Sequence, residues 1–313
     1  MKINLEELEV FEDFGKNDIY ESVLAIKEPE KIVYFVKKTN KSILEDENRK
    51  KYFENEVYVN ENIDHENIVK FLEKKQILND TYLIFESANG GNLEDCFKTY
   101  QEKNKKPFTE EIVQNIISQI AAALKYLHDS HIVYRNLSLN HIYLDYDSEE
   151  DRNNMNLLKV KIKIGNFHFS KVLGENELAH SFIGTPVYMD PNILFSNENQ
   201  EVGYEYRADV WALGTLCYEL LNGKTPFDGN DVDELANNIK TEKYKIPKKL
   251  NLSKEAVSFI SGMLQYNPNK RFDIDDVLKQ DFLTKKVNEF SHKDYEKLGE
   301  VKDDELIITI DIN

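Results

Sequence analysis

Two cysteines in 313 residues, Cys96 and Cys217, stand far apart in the chain. That is too few for a disulfide scaffold and points to a reduced setting, cytosolic or nuclear, with cytoplasmic the simpler expectation. Cations are also scarce: 40 Lys and Arg face 57 Asp and Glu, a net charge of −17. Such a balance excludes a broad interaction with nucleic-acid backbones, and otherwise it mainly keeps a protein soluble. Long apolar runs are missing, since none reaches the ~18 residues that a membrane-spanning helix needs. The opening stretch "MKINLEELEVFEDFG" is acidic and has no apolar h-region, so no secretion signal is expected. What is present is ordinary for a globular protein, 41% hydrophobic and 31% charged. The length suits one large two-lobed domain or two medium ones, and no internal repeat is evident.

The first hundred residues read as strand-rich with one helix. "YESVLAIKEP" and "KIVYFVKK" are short β-branched and aromatic runs around a Pro-containing turn, and "TYLIFES" is a third strand before the loop "ANGGN". Between them "DENRKKYFENEVYVNENI" fits a helix packed by one narrow face. From Thr109, a predicted N-cap, the period becomes helical: Ile112, Ile116, Ile120 and Leu124 recur every four residues, joined by Val113, Ile117 and Leu127. "DVWALGTLCYELLNG" predicts a second buried helix, stopped by Gly223. "HIYLDY" and "KVKIKI" predict two short strands around a mobile, solvated loop, "DSEEDRNNMN". The order predicts an α+β architecture, a strand-rich lobe followed by a larger helical one. The tail, residues 284–313, ends in "ELIITIDIN", which suits a packed or frayed terminus, a strand on this domain, or a docking strand.

Motifs then appear in a familiar order: "FGKNDIYESV", "YFVKK", "EVYVNENIDHENIV", "YRNLSLNHI", "IKIGNFHFSK", "GTPVYMDP" and "DVWALG". Over residues 8–283 the chain resembles a eukaryotic protein kinase domain, whose signature set comprises a Gly-rich loop, a strand Lys, a helix Glu, a catalytic loop, a D-F-G and an A-P-E. "SQIAAALKYLH", "FESANGGNLED", "IKIGNFHFSK" and "GTPVYMDP" are most similar to the autophagy-initiating ULK group. The resemblance implies a bilobal fold with a smaller lobe over about 8–87, a larger one over about 88–283, and a C-terminal extension over 284–313.

By that resemblance the residues that align a kinase are kept. Lys37 stands at the strand Lys and Glu56 at its helix partner. Asp209 takes the place of the buried Asp that holds the catalytic loop, Arg135 and Phe167 are retained, and Tyr134 offers a ring where the family has His. The reacting groups differ. Asn136 replaces the catalytic-loop Asp, Ser138 the phosphate-contacting Lys, His141 the Asn metal ligand and Asn166 the D-F-G Asp, followed by His168 in place of Gly. An imidazole is a poor ligand for Mg²⁺, which prefers oxygen, so no metal is expected. In the Gly-rich loop only Gly15 survives; Asn17 and Tyr20 fill the other two positions, and Asp18 adds negative charge. Ser22, Phe35, Phe85 and Tyr143 line the expected purine site, and with ring areas of ~150–250 Å² each the aromatics are expected to occlude it from within.

The expectation is therefore a pseudokinase without catalytic residues or cofactor. It would scaffold or allosterically partner an active kinase or signalling assembly, with no nucleic-acid partner and no membrane span. The alternatives are a weak Ser/Thr kinase using Asp145 or Asp147, and a Mg²⁺-independent ATP sensor using Lys37, Glu56, Glu86 and Ala88. Ser181 stands at a common activating phosphosite, where Arg135 would receive a phosphate; an unmodified loop Ser is the default reading. "DYEKL", residues 294–298, matches a docking motif for ubiquitin-like modifiers that also arises by chance. Asn192 replaces the A-P-E Glu, the usual partner of Arg271, so that pair is expected to be lost.

Overall fold

The computed structural model describes residues 3–174, 185–194, 206–241, 243–292 and 298–309. Ser181 and residues 294–297 lie outside them. The smaller lobe is an antiparallel sheet of β1 (Leu8–Lys16), β2 (Glu21–Lys27), β3 (Ile32–Asn40), β4 (Phe71–Ile77) and β5 (Asp80–Glu86), in the order β1-β2-β3-β5-β4. One helix, α1 (Glu47–Asn62), leaves β3 after the Asp46 side chain caps Arg49 N–H, and it buries Phe53, Glu56 and Val57. The two outer strands carry no clear sequence signal because they have little to bury. In β1 only Leu8 is partly covered, and β4 (FLEKKQI) holds four consecutive polar residues and buries none of its seven fully.

Beyond β5, Asn92 caps α2 (Leu93–Asn104), and Thr109 caps α3 (Glu110–Asp129). Seven of the eight predicted positions on α3 hold: Thr109 accepts from Ile112 N–H, and Val113, Ile116, Ile117, Ile120, Leu124 and Leu127 are buried. A short β6 (Ile132–Val133) then leads into the "YRNLSLNHI" loop, and β7 (Ile142–Asp145) follows it. The segment expected to be a solvated loop contains α4 (Glu149–Asn153), capped by Ser148 and closed by an Asn156–Asp151 hydrogen bond of 2.7 Å. Its charged composition hid a local cap-and-turn. β8 (Lys161–Ile164) pairs antiparallel with β7, and β9 (Lys171–Val172) pairs with β6.

The rest of the larger lobe holds α5 (Pro191–Leu194), α6 (Arg207–Asn222), α7 (Val232–Lys240), β10 (Lys243–Pro247), α8 (Lys254–Met263), α9 (Ile274–Lys279) and α10 (Asp281–Thr284). Gly223 ends α6 in the left-handed region, φ 88°, where a side chain is strained. Both cysteines are buried and unpaired, and burial pushes the Cys96 thiol up to about 11. No helix among the described residues is long and apolar enough to cross a membrane.

The tail packs on this domain. β11 (Glu300–Lys302) and β12 (Glu305–Thr309) form a hairpin, and β12 pairs with β10, Ile308 opposite Tyr244 and Leu306 opposite Ile246. Leu306 and Ile308 thereby join the large-lobe core. Alternation places one face of β12 inward, which the sequence pattern alone did not assign to a partner.

Arg271 corrects one expectation. It has not lost its carboxylate: its Nη1 pairs with Asp190, two residues before Asn192, in a contact buried on both sides. The remaining guanidinium donors go to the carbonyls of Arg207 (2.7 Å), Gln265 (2.9 Å) and Tyr266 (3.3 Å), and its plane lies over Trp211. Asn192 supports the new arrangement, since its N–H and Nδ2 both donate to Asp190 Oδ1 at 2.7 and 2.9 Å. In place of the family's Ala-Pro-Glu the chain carries Asp-Pro-Asn, so the acid has moved from the third position to the first. Asp190→Ala would leave a buried guanidinium without its counter-charge, and urea denaturation should show a loss of about 3–5 kcal/mol. A loss within ~0.5 kcal/mol, typical of surface substitutions, would mean that Asp190 does not anchor this segment.

Candidate functional site between the lobes

Asp209 builds the site from below. Its Oδ2 accepts Tyr134 N–H at 2.9 Å, its Oδ1 accepts Arg135 N–H at 2.8 Å, and His128 Nε2 lies 2.9 Å from Oδ2. These bonds hold Arg135 at φ 64°, a costly conformation for a non-glycine residue. They also turn the loop toward the Asn166 segment. Arg135 donates to the carbonyls of Phe169 and Ser170, while the Tyr134 hydroxyl donates to Gly165 O and its ring meets Phe167 edge-on at 5.2 Å. Tyr134 thus supplies the expected ring and adds a hydrogen bond.

From above, Lys37 on β3 reaches α1. Its Nζ lies 2.6 Å from Glu56 Oε1, both side chains being almost wholly buried. Burial is the largest influence on the Glu56 carboxyl and would raise it, but the Lys37 charge and hydrogen bond together with its other neighbours hold the group below its ordinary value. The same Nζ donates to Asn166 Oδ1 at 3.0 Å. Asn166 Oδ1 also faces His168 Nδ1 at 2.6 Å, which therefore carries the proton and donates. Two further contacts fix α1 against this segment: Asn55 Nδ2 donates to Ser170 O at 2.6 Å, and Tyr52 packs edge-on against Phe169. Neither was legible as a site residue, because each lies on the side of α1 that reads as an ordinary polar face.

The residues at the reacting positions bond to one another. Asn136 Nδ2 donates to Asn166 O at 3.2 Å, and Asn136 O accepts from His141 Nδ1 at 3.0 Å. The Ser138 hydroxyl donates to Asn140 Oδ1 at 2.5 Å. Burial keeps both imidazoles neutral: it lowers His141, and it pushes His168 down to about 4. This donor set does not fit Mg²⁺, which requires several hard, preferably anionic oxygens. Asn166 Oδ1 already accepts from Lys37 and His168, and the cluster's carboxylate, Glu56, is held by Lys37. The described residues contain no group of three or more acids, cysteines or histidines placed for a metal.

The β1–β2 turn is equally committed. Gly15 N–H donates to Asp13 Oδ1 (2.7 Å), Asn17 N–H to Tyr20 O (2.9 Å), and the N–H groups of Ile19 and Tyr20 to Asn17 Oδ1 (2.9 and 2.7 Å). Backbone donors that would cradle an anion are thereby satisfied. Ile19 and Tyr20 are buried in the small-lobe core with Phe53 and Val57 of α1. The Tyr20 ring lies 4.9 Å from Lys37 Nζ, and its hydroxyl, whose pKa is raised by burial and then by Glu56, is pointed at that carboxylate without a hydrogen bond. Asp18 is exposed and does not line the cleft, whereas Glu12 does.

The expected occlusion needs correction. Ser22, Phe35, Phe85 and Tyr143 come together as predicted, yet they wall a cleft of about 1000 Å³ instead of closing it. The Phe35 ring lies against Phe14 and Phe85, at 6.0 and 6.3 Å, and Tyr143 leans on Gly165, where an added Cβ would stand 3.0 Å from its ring. The aromatics pack along the walls. Of the other candidates, Glu86 turns away to accept from Lys163 Nζ (2.7 Å) and Lys70 N–H (2.9 Å). Ala88 lines the cleft, and neither its N–H nor its C=O is hydrogen-bonded among the described residues. Asp145 accepts from Asn89 N–H and Asp147 pairs with Lys161, so neither joins the Asn136 cluster.

A family model of the protein kinase domain matches residues 9–283, nearly all of this architecture. The chain belongs to the protein kinase family. Among curated relatives, the probable serine/threonine-protein kinase PLK of Dictyostelium discoideum is 29% identical over 280 residues, covering 90% of this chain and 26% of that protein. The probable cell cycle serine/threonine-protein kinase CDC5 homolog of Encephalitozoon cuniculi is 30% identical over 259 residues, 82% of this chain and 50% of the relative. Human serine/threonine-protein kinase ULK1 is 29% identical over 229 residues, 73% of this chain and 21% of the relative. The ULK likeness is thus present, at an identity matched by the PLK and CDC5 relatives. The chain spans half or less of the length of these relatives.

The desolvated, half-buried imidazoles of His141 and His168 make the kinase fold acid-sensitive. A histidine with a depressed folded pKa takes its proton in the unfolded chain first, so stability falls as pH drops from about 6.5 toward about 4. Unfolding free energies measured across that window should decline, and His168→Gln should flatten the decline. An unchanged slope in the variant would show that His168 is not held neutral.

Proposed function

We propose that this chain is a catalytically inactive kinase domain, a scaffold or allosteric binding partner for an active kinase or signalling assembly, working in the cytoplasm. One observation carries the reading: the groups that would meet a phosphate or a metal are already bonded to the protein itself. Lys37 is shared between Glu56 and Asn166, and Asn17 takes the turn's N–H groups. Asn136 also lacks the role of a base, because an amide has no basic oxygen comparable to a carboxylate's, and its nitrogen donates to Asn166 O. Loss of a general base alone costs about 10²–10⁴ in rate. Taken from a kinase turnover of about 1–100 s⁻¹, that leaves little before the metal ligands are considered, although such losses do not simply multiply.

The surfaces for partners are supported by what the fold keeps. α1 is tied to the larger lobe by Asn55 and Tyr52, and through Lys37, which bridges Glu56 to Asn166. Asp190 and Arg271 anchor the end of the activation segment. A stable α1 face and an anchored segment suit a domain whose product is a binding surface. The relatives named above are serine/threonine kinases, and the likeness to ULK1 motivates an autophagy-related partner. The competing reading, a weak kinase using Asp145 or Asp147, is disfavoured by their engagement with Asn89 and Lys161.

A thermal-shift titration with ATP, with and without Mg²⁺, run beside a phosphoryl-transfer assay, tests this reading. We expect neither a shift nor transfer. A ligand at 100 times its dissociation constant stabilises by about 2.7 kcal/mol, so a Mg²⁺-dependent rise of that size, or measurable transfer, contradicts the proposal.

A further inference from the structure

The small-lobe sheet has two edges, and the chain treats them differently. β4, at one edge, carries Lys74 and Lys75, paired with Glu61 and Glu73, and charged side chains of this kind blunt an edge against pairing. β1, at the other, has no Pro, and its single cation, Lys16, lies at its end and is tied to Glu21. Along residues 9–14 its backbone bonds only to β2 among the described residues, so its outward N–H and C=O groups are open. Apolar side chains stand beside them: Val10, Phe11 and Phe14 are 56%, 54% and 56% exposed. Two register shifts in the β1–β2 ladder leave Phe11 and Phe14 opposite no residue of β2. Such irregularities elsewhere bend an edge away from neighbours; here they fall at two exposed aromatic residues.

Register decides which side chains share a face. Glu9 and Glu12 stand opposite Ile26 and Leu24, two residues apart on β2, while Val10 and Asp13 stand opposite Ala25 and Val23. One face of the edge is therefore acidic, and the other begins with an apolar residue. Glu9 and Glu12 are both exposed, and neither pairs with a cation among the described residues. An extended segment laid along this edge, alternating cations with apolar residues, would set its cations beside Glu9 and Glu12 and its apolar residues beside Val10. A second copy of this chain fits worse. Antiparallel pairing of β1 with itself brings the Glu9, Glu12 and Asp13 carboxylates of two copies together, and like charges across a ladder are destabilising.

We propose that β1 is a docking edge for an extended segment of a partner protein, with Lys or Arg alternating with apolar residues, which adds to the five-stranded sheet as a further antiparallel strand beside residues 9–14. Main-chain hydrogen bonds supply affinity in such β-augmentation, and the alternating side chains supply specificity. Every pairing within the sheet is antiparallel, and the added strand continues that pattern. The inference names a partner chemistry for the binding module proposed above and rests on that reading, but the two are tested by different readouts.

Fluorescence anisotropy with the full chain and three labelled, end-blocked octapeptides tests it: one alternating Lys and Val, one alternating Glu and Val, and the Lys–Val sequence with every amide N-methylated. None holds a Ser, Thr or Tyr to accept a phosphoryl group, so binding is read apart from catalysis. Saturable binding of the Lys–Val peptide is expected, with the other two weaker by about tenfold or more, an energy difference of ~1.4 kcal/mol. Amide exchange should slow at residues 9–14 when it binds. Glu9→Lys combined with Glu12→Lys changes two exposed side chains and should reverse the preference between Lys–Val and Glu–Val at unchanged circular dichroism. Absence of saturable binding by Lys–Val overturns the inference. So does binding that survives N-methylation or the charge reversal, or protection that falls outside β1. A concentration-dependent dimer dissolved by the peptide would seat a second copy on the edge and overturn it as well. Each of these results leaves the inactive-kinase reading standing, which falls to Mg²⁺-dependent ATP binding or phosphoryl transfer.

Discussion

The ion pair between Lys37 and Glu56 is the constraint around which the rest of the site is arranged. Two opposite charges are buried together between β3 and α1, and each would be costly alone. In an active kinase the same Lys meets nucleotide phosphates. Here two of its three donors go to Glu56 and Asn166, and the Tyr20 ring lies 4.9 Å from the ammonium. The consequences run outward from that choice. α1 is seated, and Asn55 and Tyr52 reach the Ser170 backbone and the Phe169 ring, joining the two lobes.

Replacing carboxylates by amides fits the same logic. An Asp at position 166 beside Lys37 would be charged and would call for a metal. An Asn there is neutral, accepts from two donors, and leaves no charge to compensate. Neutral, half-buried His141 and His168 complete a cluster whose net charge is near zero. The β1–β2 turn follows suit: Asn17 bonds the N–H groups of Ile19 and Tyr20, and these two residues join the core, Tyr20 against Phe53, while residues 15–18 stay exposed. The Asn and His residues at these positions bond to neighbouring polar groups, whereas the buried Tyr20 hydroxyl and Glu56 Oε2 have no hydrogen bond among the described residues.

Much of this was legible in the sequence wherever a function depends on which residue occupies a fixed position. Asn136, Ser138, His141 and Asn166 could be named that way, as could the anchor Asp209 and the periodic face of α3. What could not be read depends on direction and on contacts through space. Residue type says that Phe35 and Tyr143 are large, but not that their rings lie along the cleft wall. The Asp190–Arg271 pair escaped because the acid moved two residues within its motif while reaching the same guanidinium. β1 and β4 escaped because edge strands bury little and so leave a weak pattern. The strand β12 needed its partner β10 before alternation could be given a meaning.

The most direct test of the central claim is the unfolding free energy of Lys37→Met. If Lys37 serves as a structural tie, removing it strands the Glu56 charge in the interior. Urea denaturation should then show a loss of about 3–5 kcal/mol, most of it recovered when Glu56→Leu is added to make the pair apolar. A Lys37→Met variant as stable as the parent would show that the charge is held for a ligand, and would contradict the account given for this site.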